Sequence, residues 1–83
     1  MNKYKSFGKR LRAERKKQGL TVEMVAKASE TSRSYITLIE NGQRLPGKKV
    51  LPKIAAALHL KTVIVLNWYL ENVRQKIEKD LKI

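Results

Sequence analysis

Glycine, proline and helix-capping residues divide this chain into five short segments, and within the segments the apolar residues recur every three or four positions. This spacing is typical of an α-helix with one buried face. The first segment ends at Gly19, the second runs from Thr21 to about Ala28, the third from Ser32 to Asn41-Gly42, the fourth has Pro52 in its first turn, and the fifth begins at Thr62. The β-branched residues 63–65 could form a strand, but a single strand would have no partner in this chain. The sequence therefore predicts an all-α fold of five helices with an extended C-terminal helix.

A chain of 83 residues is long enough for one domain and too short for two separate cores. We expect residues 1–61 to form the body of this domain. Residues 62–83 are expected to form a last helix that belongs to the same domain and serves in dimerisation. The inner faces of the first, third and fourth helices are predicted to contain Tyr4, Phe7, Leu11, Arg15, Ile36, Ile39, Glu40, Leu51, Ile54, Ala55 and Leu58.

The chain is strongly basic, because 19 Lys and Arg residues outnumber 7 Asp and Glu residues and leave a net charge of +12. Such a charge favours a polyanionic partner, which composition alone leaves open as DNA, RNA or an acidic membrane. The sequence contains no cysteine. This excludes a disulfide framework, a thiolate zinc site and cysteine catalysis, and it suits a reducing cytosol.

Sequence features of secretion, membrane insertion and catalysis are missing. The basic N-terminus is not followed by the apolar segment of a signal peptide, and no apolar run approaches the roughly 20 residues that span a bilayer. The single histidine, His59, lies at the end of the fourth helix, where a capping or packed role is expected. The chain has no glycine-rich nucleotide loop and no carboxylate cluster for a metal. We therefore expect a cytoplasmic protein, associated with the nucleoid, that is not an enzyme and uses no cofactor or metal.

The second and third helices are each about two turns long and are joined only by residues 29–31, Ser-Glu-Thr. Two short helices across such a turn form the geometry of a helix-turn-helix, in which the second helix enters the DNA major groove. The segment 32–42, SRSYITLIENG, with 19–21, 25–26, Arg44 and 51–58, closely resembles the helix-turn-helix family of phage lambda repressor, Cro and the Xre-type regulators. The resemblance covers residues 6–60 and implies a DNA-binding domain of the lambda-repressor type.

The outer face of the third helix contains residue types that read bases. The predicted base contacts, which share one stripe at 3.6 residues per turn, are Arg33, Ser34, Thr37 and Leu38. Arg can bond guanine with two hydrogen bonds, Ser and Thr can pair with several bases, and the apolar groups of Thr37 and Leu38 can contact thymine methyl groups. An ordinary solvated helix face is the alternative for this stripe.

Phosphate contacts position a recognition helix and supply much of the affinity for DNA. The resemblance implies phosphate contacts at Thr21 and Val22, at Asn41, and in the following loop at Gln43, Arg44, Lys48 and Lys49. Tyr35 is open to two roles, because its ring can pack while its hydroxyl reaches a phosphate. The chain departs from the family at Val22, where Gln is common, and at Glu30-Thr31, where Gly-Val is common. Because Glu tolerates a left-handed backbone poorly, we expect a strained or differently shaped turn.

Two charged residues lie on the apolar faces of their helices, Arg15 one turn beyond Leu11 and Glu40 one turn beyond Ile36. Unpaired buried charges are costly, so we expect these two residues to pair with each other. The family resemblance implies the same bridge between the first and third helices. Its expected role is structural.

The last helix has a heptad-like apolar seam. The candidate dimer interface contains Leu66, Leu70, Val73, Ile77 and Leu81, with Trp68 or Tyr69 as anchors. We expect residues 63–66 to cover the domain's own core and the later residues to form a two-fold dimer, with packing inside the chain as the alternative. A dimer would place two recognition helices about 34 Å apart, one turn of B-DNA, over a palindromic operator.

These features together predict a sequence-specific regulator that binds double-stranded DNA, a repressor acting as a homodimer. One alternative is a protein-interaction module, such as an antitoxin or a phage or mobile-element accessory protein that also binds DNA. The other is nonspecific binding to nucleic acid through charge. The sequence does not identify a regulatory protein partner. The cations near the N-terminus, Lys3, Lys5, Lys9 and Arg10, either reach the DNA backbone or are solvated.

Overall fold

The computed structural model describes residues 3–82, and five α-helices account for most of this range. They are α1 (Lys5–Lys17), α2 (Val22–Ala28), α3 (Arg33–Glu40), α4 (Leu51–Ala57) and α5 (Thr62–Leu81). Within the described range there is no strand, and residues 63–65 are helical. The prediction of an all-α fold with five helices and a long last helix is confirmed.

The apolar residues of all five helices meet in one core. Helix α5 packs against α1 and α4, α3 packs against α1 and α2, and α2 also packs against α4. The large side chains that are completely shielded from solvent are Phe7, Leu11, Val25, Ile36, Ile39, Ile54, Leu58 and Val65. Burial of one such side chain contributes about 1.5–3 kcal/mol to folding. This shared core therefore holds α2 and α3 in a fixed relation to each other.

Helix α1 crosses the end of α3 at very short range. Gly8 is buried at the crossing, and a Cβ atom at this position would overlap the carbonyl oxygens of Ile39 and Glu40. Any side chain at position 8 would therefore push the two helices apart. The absence of a side chain here lets α1 support the C-terminal end of α3 directly.

The first four helices end in the same backbone motif. In each one, the residue after the C-cap has a positive φ angle and the next N–H donates to a carbonyl five residues earlier. The left-handed residues are Gly19 (φ 71°), Glu30 (φ 58°), Gly42 (φ 77°) and His59 (φ 55°). The closing bonds join Leu20 to Arg15 (3.0 Å), Thr31 to Ala26 (2.8 Å), Gln43 to Leu38 (2.9 Å) and Leu60 to Ala55 (2.9 Å). His59 thus shapes the end of α4 through its backbone, while its side chain is exposed.

Only a narrow part of the α5 surface faces the domain. Val65 and Asn72, two turns apart, are its buried residues. Val63, Ile64 and Leu66 are 54%, 38% and 37% exposed, so the expectation that all of 63–66 covers the core is wrong. The reason is helical phase: when Val65 points into the core, its neighbours along the chain point away from it.

The two aromatic residues of α5 pack on their own domain. Trp68 and Tyr69 are half-buried against the core. The Trp68 ring meets Phe7 edge-on, with ring centroids 6.1 Å apart and an interplanar angle of 76°. Both residues are candidate dimer anchors in the sequence, and this packing leaves only part of each side chain exposed for a contact with a second copy. Trp68 lies about 160° around α5 from Leu66 and Leu70, whereas Tyr69 lies about 40° from Val73.

Asn72 holds the start of α1 in place. Its Oδ1 atom accepts the backbone N–H of Phe7 at 2.8 Å, and its Nδ2 atom donates to the carbonyl of Lys3 at 3.4 Å. Tyr4, the N-cap residue of α1, makes no side-chain capping bond. Asn72 therefore caps α1 from a distant helix. The role of Asn72 could not be predicted from the sequence, because this residue belongs to no motif and only interrupts the apolar pattern of α5.

Candidate nucleic-acid interface

Hydroxyl side chains stabilise the turn between α2 and α3. Ser29 is fully buried, and its Oγ atom donates to the carbonyl of Val25 at 2.7 Å and lies 2.9 Å from Oγ1 of Thr31. Glu30 takes the left-handed conformation, and its carboxylate lies 3.0 Å from Nζ of Lys53. The short connection of a helix-turn-helix is therefore kept although Glu-Thr replaces the usual Gly-Val.

Helix α3 begins at a side-chain cap and exposes one face to solvent. Ser32 Oγ accepts the backbone N–H of Tyr35 at 3.0 Å, which fixes the first turn. On the inner side of α3, Ile36 and Ile39 are fully buried. On its outer side, four exposed residues form what we call the recognition face: Arg33, Ser34, Thr37 and Leu38. The structure thus brings the four predicted base contacts together on one solvent-facing surface.

Arg33 contacts an acidic residue of α2. Its Nε atom lies 3.5 Å from Oε1 of Glu23, and the two side chains are 73% and 66% exposed. An exposed ion pair of this kind contributes about 0–1 kcal/mol. The guanidinium can therefore leave Glu23 for a base at little cost. The contact with Glu23 could not be predicted from the sequence, because it depends on how α2 and α3 cross.

Tyr35 fixes the loop that follows α3. The backbone N–H of Gly47 donates to the Tyr35 hydroxyl oxygen at 3.0 Å. The guanidinium carbon of Arg44 lies 4.6 Å from the centre of the Tyr35 ring, within the range of a cation–π contact. The ring therefore holds Arg44 beside α3. The tyrosine hydroxyl keeps its own proton available to donate to a further acceptor.

The other predicted phosphate contacts lie at the ends of α2 and α3 and in the loop before α4. Those that are exposed are Thr21, Asn41, Gln43, Arg44, Lys48 and Lys49. Thr21 caps α2: its Oγ1 atom accepts the N–H of Met24 at 3.0 Å, and Met24 Sδ accepts the N–H of Thr21 at 3.4 Å. Val22 is half-buried and packs against the core. In the family this position commonly holds a Gln, whose side chain can bind phosphate. In this chain it holds a valine, which packs into the domain instead.

Arg15 and Glu40 form a bidentate ion pair between α1 and α3. Nε of Arg15 lies 2.6 Å from Oε2 of Glu40, and Nη2 lies 2.9 Å from Oε1. Nη1 of Arg15 also donates to the carbonyl of Leu20 at 2.9 Å. The hydrogen bond with Glu40 and the charge of its carboxylate raise the pKa of Arg15, against the opposing effect of burial. The side chains are 11% and 6% exposed, so the pair is a nearly buried structural contact that holds α3 against α1.

Metal clusters and membrane-spanning helices are absent from residues 3–82. No three His, Asp or Glu side chains in this range come close enough together to hold a metal ion. No helix in the same range combines the length and apolar character needed to cross a membrane.

Comparison with protein families places this geometry among known regulators. A helix-turn-helix family model matches residues 11–65, from the middle of α1 to the start of α5. The uncharacterized HTH-type transcriptional regulator YqaF of Bacillus subtilis is 46% identical over 48 residues, which are 58% of this chain and 63% of YqaF. The ImmF control region 10 kDa protein of Bacillus phage phi105 is 39% identical over 56 residues, which are 68% of this chain and 62% of that protein. The chain thus spans less than two thirds of the length of these curated relatives.

Solved structures of regulators share the fold. The restriction-modification controller protein C.AhdI from Aeromonas hydrophila superposes with a TM-score of 0.71 at 35% identity, over 75% of this chain and 94% of that protein. The clp gene regulator ClgR from Corynebacterium glutamicum superposes with a TM-score of 0.72 at 26% identity, over 96% of this chain and 86% of ClgR. The second superposition includes most of α5, which the family model matches only at its start.

Proposed function

The chain belongs to the lambda repressor and Xre-type helix-turn-helix family, and on this premise we propose that it is a sequence-specific DNA-binding regulator of transcription. The observation that carries the proposal is the recognition face, where Arg33, Ser34, Thr37 and Leu38 are exposed together on α3. Their side chains combine one bidentate donor, two hydroxyl groups and apolar groups, which suits direct reading of base edges in the major groove.

Phosphate binding would position this face on the duplex. Arg44 is the leading candidate because Tyr35 holds its guanidinium beside α3, and a fixed cation loses less entropy on binding than a free one. Thr21, Val22, Asn41, Gln43, Lys48 and Lys49 are the remaining candidates. The net charge of +12 supports attraction to the phosphate backbone over a longer range.

The proposal separates two roles for arginine, and this can be measured. A duplex selected from a random DNA pool and an unrelated duplex would be titrated with the wild type, Arg33→Ala and Arg44→Ala at several salt concentrations. Arg33→Ala should weaken binding of the selected duplex by roughly 10- to 100-fold and relax its preference at one base position. Arg44→Ala should weaken binding to both duplexes and lower the salt dependence by about one phosphate contact.

A variant in a distant cation provides the control for these measurements. Lys79 is exposed on α5, and Lys79→Ala removes one charge at a distance from the recognition face. Its binding profile should match that of the wild type. If Arg33→Ala and Lys79→Ala gave the same base preferences as the wild type, direct base reading by Arg33 would be refuted. If binding to both duplexes faded equally with salt, the protein would be a nonspecific nucleic-acid binder.

We further propose that the regulator acts as a homodimer and represses by occupying a palindromic operator in the cytoplasm. The exposed apolar residues of α5 support this proposal, since Leu66, Leu70, Ile77 and Leu81 are 37%, 52%, 52% and 66% exposed. Val73, half-buried, lies between them. A row of exposed aliphatic residues along one helix is typical of a contact with another chain. We call Leu66, Leu70, Val73, Ile77 and Leu81 the α5 stripe.

The same stripe supports a second candidate function, a module that binds a different protein. In that case the α5 stripe would contact a partner such as a toxin or a phage-encoded protein rather than a second copy. The similarity to a phage control-region protein is compatible with such an accessory role. The oligomeric state of the isolated chain distinguishes the two candidates, because a homodimer forms without a partner.

A further inference from the structure

A groove of about 360 Å³ lies between α1 and α5, outside the recognition face and the α5 stripe. It is lined by Lys9, Arg10, Ala13, Glu14, Lys17 and Trp68. Five of these residues come from consecutive turns of α1, and the sixth is the aromatic residue of α5. None of them lies on α2, α3 or the following loop, which contain the predicted DNA contacts. Lys9 and Arg10 are among the N-terminal cations for which contact with the DNA backbone is one of the two expected roles.

The groove has a rigid apolar wall. Trp68 is half-buried, and the edge-on contact with Phe7, at 6.1 Å between ring centroids, fixes its orientation. Ala13 on α1 adds a small apolar surface to the lining. A fixed indole ring beside an alanine gives an apolar side chain of a ligand a surface to pack on, at little cost in protein entropy.

The rim of the groove is positively charged. Lys9, Arg10 and Lys17 are exposed, and none of them forms an ion pair with another residue in the range 3–82. The acidic residue of the lining, Glu14, accepts a hydrogen bond at 3.0 Å from Gln18. Gln18, the C-cap residue of α1, also donates from Nε2 to the carbonyl of Leu58 at 2.6 Å and thus links α1 to the end of α4. The lining thus contains three cations without an ion-pair partner among residues 3–82 and one carboxylate that is already hydrogen-bonded to Gln18. This excess of positive charge favours an acidic ligand.

Helical phase separates this groove from the two other surfaces. On α1, Arg15 faces Glu40 of α3, and Lys17 lies about 160° around the helix from Arg15. On α5, Trp68 lies about 160° around the helix from both Leu66 and Leu70 of the α5 stripe. The groove is therefore open to a ligand while DNA occupies α3 and a second copy occupies the stripe.

We propose that the α1–α5 groove is a docking site for an acidic amphipathic helix of another protein. The helix would place one apolar side chain against Trp68 and Ala13, and its carboxylates would meet Lys9, Arg10 and Lys17. Charge complementarity selects the acidic character, and the apolar wall formed by Trp68 and Ala13 suits the apolar face of such a helix. The site would let a partner protein contact the regulator while it is bound to DNA.

The natural fluorescence of the protein can test this proposal, because Trp68 is its single tryptophan. The probes would be three synthetic 14-residue helical peptides, rich in Glu, that carry Leu, Ile or Phe at one central position, and a fourth peptide with Ser at that position. We expect at least one apolar peptide to shift the Trp68 emission and to bind saturably. The Ser peptide, with the same charge, should bind roughly tenfold more weakly.

Two variants with the same change in charge separate the groove from the general charge of α1. Lys17→Glu reverses a charge in the groove and should weaken peptide binding roughly tenfold or more, whereas Lys16→Glu, exposed beside it but outside the groove, should have less than a roughly twofold effect. Equal effects of the two variants, or no emission change with any apolar peptide, would overturn the proposal.

Two further outcomes would assign the groove to a different ligand. If a saturating DNA duplex displaced the peptide, the groove would be part of the DNA-binding surface. If Trp68 emission changed with protein concentration in the absence of peptide, a second copy would be the occupant. Unchanged peptide binding on the DNA-bound protein, with emission independent of protein concentration, is the result that we expect.

Discussion

The backbone N–H of Phe7 lies at the buried start of α1, and its hydrogen-bond acceptor comes from a residue 65 positions away in the sequence. A helix cannot satisfy its first N–H groups internally, and an unpaired buried N–H costs about 1–3 kcal/mol. Tyr4 supplies no side-chain cap, so Asn72 does so from α5. A polar residue at a core position of α5 is therefore explained by the needs of another helix.

The contribution of Asn72 can be measured against another amide on the same helix. Asn72→Ala leaves the Phe7 N–H without a partner and should lower the free energy of unfolding by about 1–3 kcal/mol. Gln75 is exposed, and within residues 3–82 its side chain bonds only to Glu71, at 3.2 Å, so Gln75→Ala should change stability by less than about 0.5 kcal/mol. Urea unfolding followed by circular dichroism would give both values. Equal midpoints for the two variants would show that the distant cap is unimportant.

The ion pair of Arg15 and Glu40 is a second structural feature at the scale of single residues. Glu40→Ala would leave the Arg15 guanidinium nearly buried without its carboxylate and should cost about 3–5 kcal/mol. Glu23→Ala, which removes the exposed partner of Arg33, should cost no more than about 1 kcal/mol. The double variant Arg15→Met with Glu40→Leu should recover much of the loss, because no buried charge then remains. A Glu40→Ala protein as stable as the wild type would contradict the structural role.

The effect of pH on the stability that this ion pair provides follows from the direction in which the pKa of Arg15 is shifted. The hydrogen bond with Glu40 raises the pKa of Arg15 in the folded protein. A raised pKa stabilises the fold fully at any pH below the value of the unfolded chain, and the benefit is lost only as pH rises through the folded value. For an arginine this window lies at strongly alkaline pH. The cationic side of the pair therefore adds no pH dependence to stability under physiological conditions.

At the scale of elements, the helix ends show how much of the fold was visible in the sequence. Gly19 and Gly42 mark the ends of α1 and α3, and Ser32 marks the start of α3, because their chemistry suits these positions wherever they occur. Glu30 and His59 occupy equivalent left-handed positions although neither residue type favours them. The resemblance to the family indicated this conformation at Glu30, where Gly is common, but nothing in the sequence indicated it at His59. At both positions the left-handed residue allows the closing backbone hydrogen bond of the helix end, from Thr31 to Ala26 in α2 and from Leu60 to Ala55 in α4.

The strain at Glu30 gives a prediction for the turn between α2 and α3. Glu30→Gly relieves the left-handed conformation of a residue with a Cβ atom and should raise stability by about 0.5–1 kcal/mol, since Lys53 loses only an exposed partner. Glu30→Ala keeps the strained backbone while it also removes the carboxylate, so it is the matched control and should be no more stable than the wild type. Thermal unfolding of the three proteins would decide the point. A Glu30→Gly protein less stable than the wild type would show that the contact of the carboxylate with Lys53 outweighs the strain. A Glu30→Gly protein no more stable than Glu30→Ala would show that the left-handed backbone stores no strain that glycine can relieve.

The side of a helix that faces the domain could be predicted from the sequence for α3 but not for α5. The pattern of α3 was clear because Ile36 and Ile39 define one inner side, and the predicted base contacts followed from it. Helix α5 is apolar on more than one side, so the sequence could not show that Val65 and Trp68 face the domain while Leu66 and Leu70 face solvent. Only contacts with α1 and α4 determine that rotation. The Arg33 contact with Glu23 was hidden for the same reason, as it depends on how α2 and α3 cross.

At the scale of the whole molecule, the net charge of +12 is divided among separate surfaces. The recognition face and the loop after α3 contain Arg33 and Arg44, and the α1–α5 groove contains three cations. Arg15 is neutralised by its ion pair with Glu40. The α5 stripe is aliphatic. A small domain thus presents one surface that suits DNA, one that suits a second copy and one that suits an acidic partner, each carried by a different side of its helices.

The proposed dimer is a property of the whole molecule that a single substitution should abolish. Leu70, 52% exposed, lies at the centre of the α5 stripe, and Leu70→Lys would place a charge at the proposed two-fold contact. Ile64 is an exposed aliphatic residue of the same helix, about 120° around it from Leu70, so Ile64→Lys makes the same chemical change outside the stripe. In analytical ultracentrifugation at micromolar concentration, the wild type and Ile64→Lys should sediment as dimers and Leu70→Lys as a monomer.

Because two linked half-sites bind more tightly than one, Leu70→Lys should also lose affinity for a palindromic duplex while it keeps its affinity for a single half-site. A wild type that sediments only as a monomer, with and without DNA, would refute the dimer and leave the α5 stripe to a different protein.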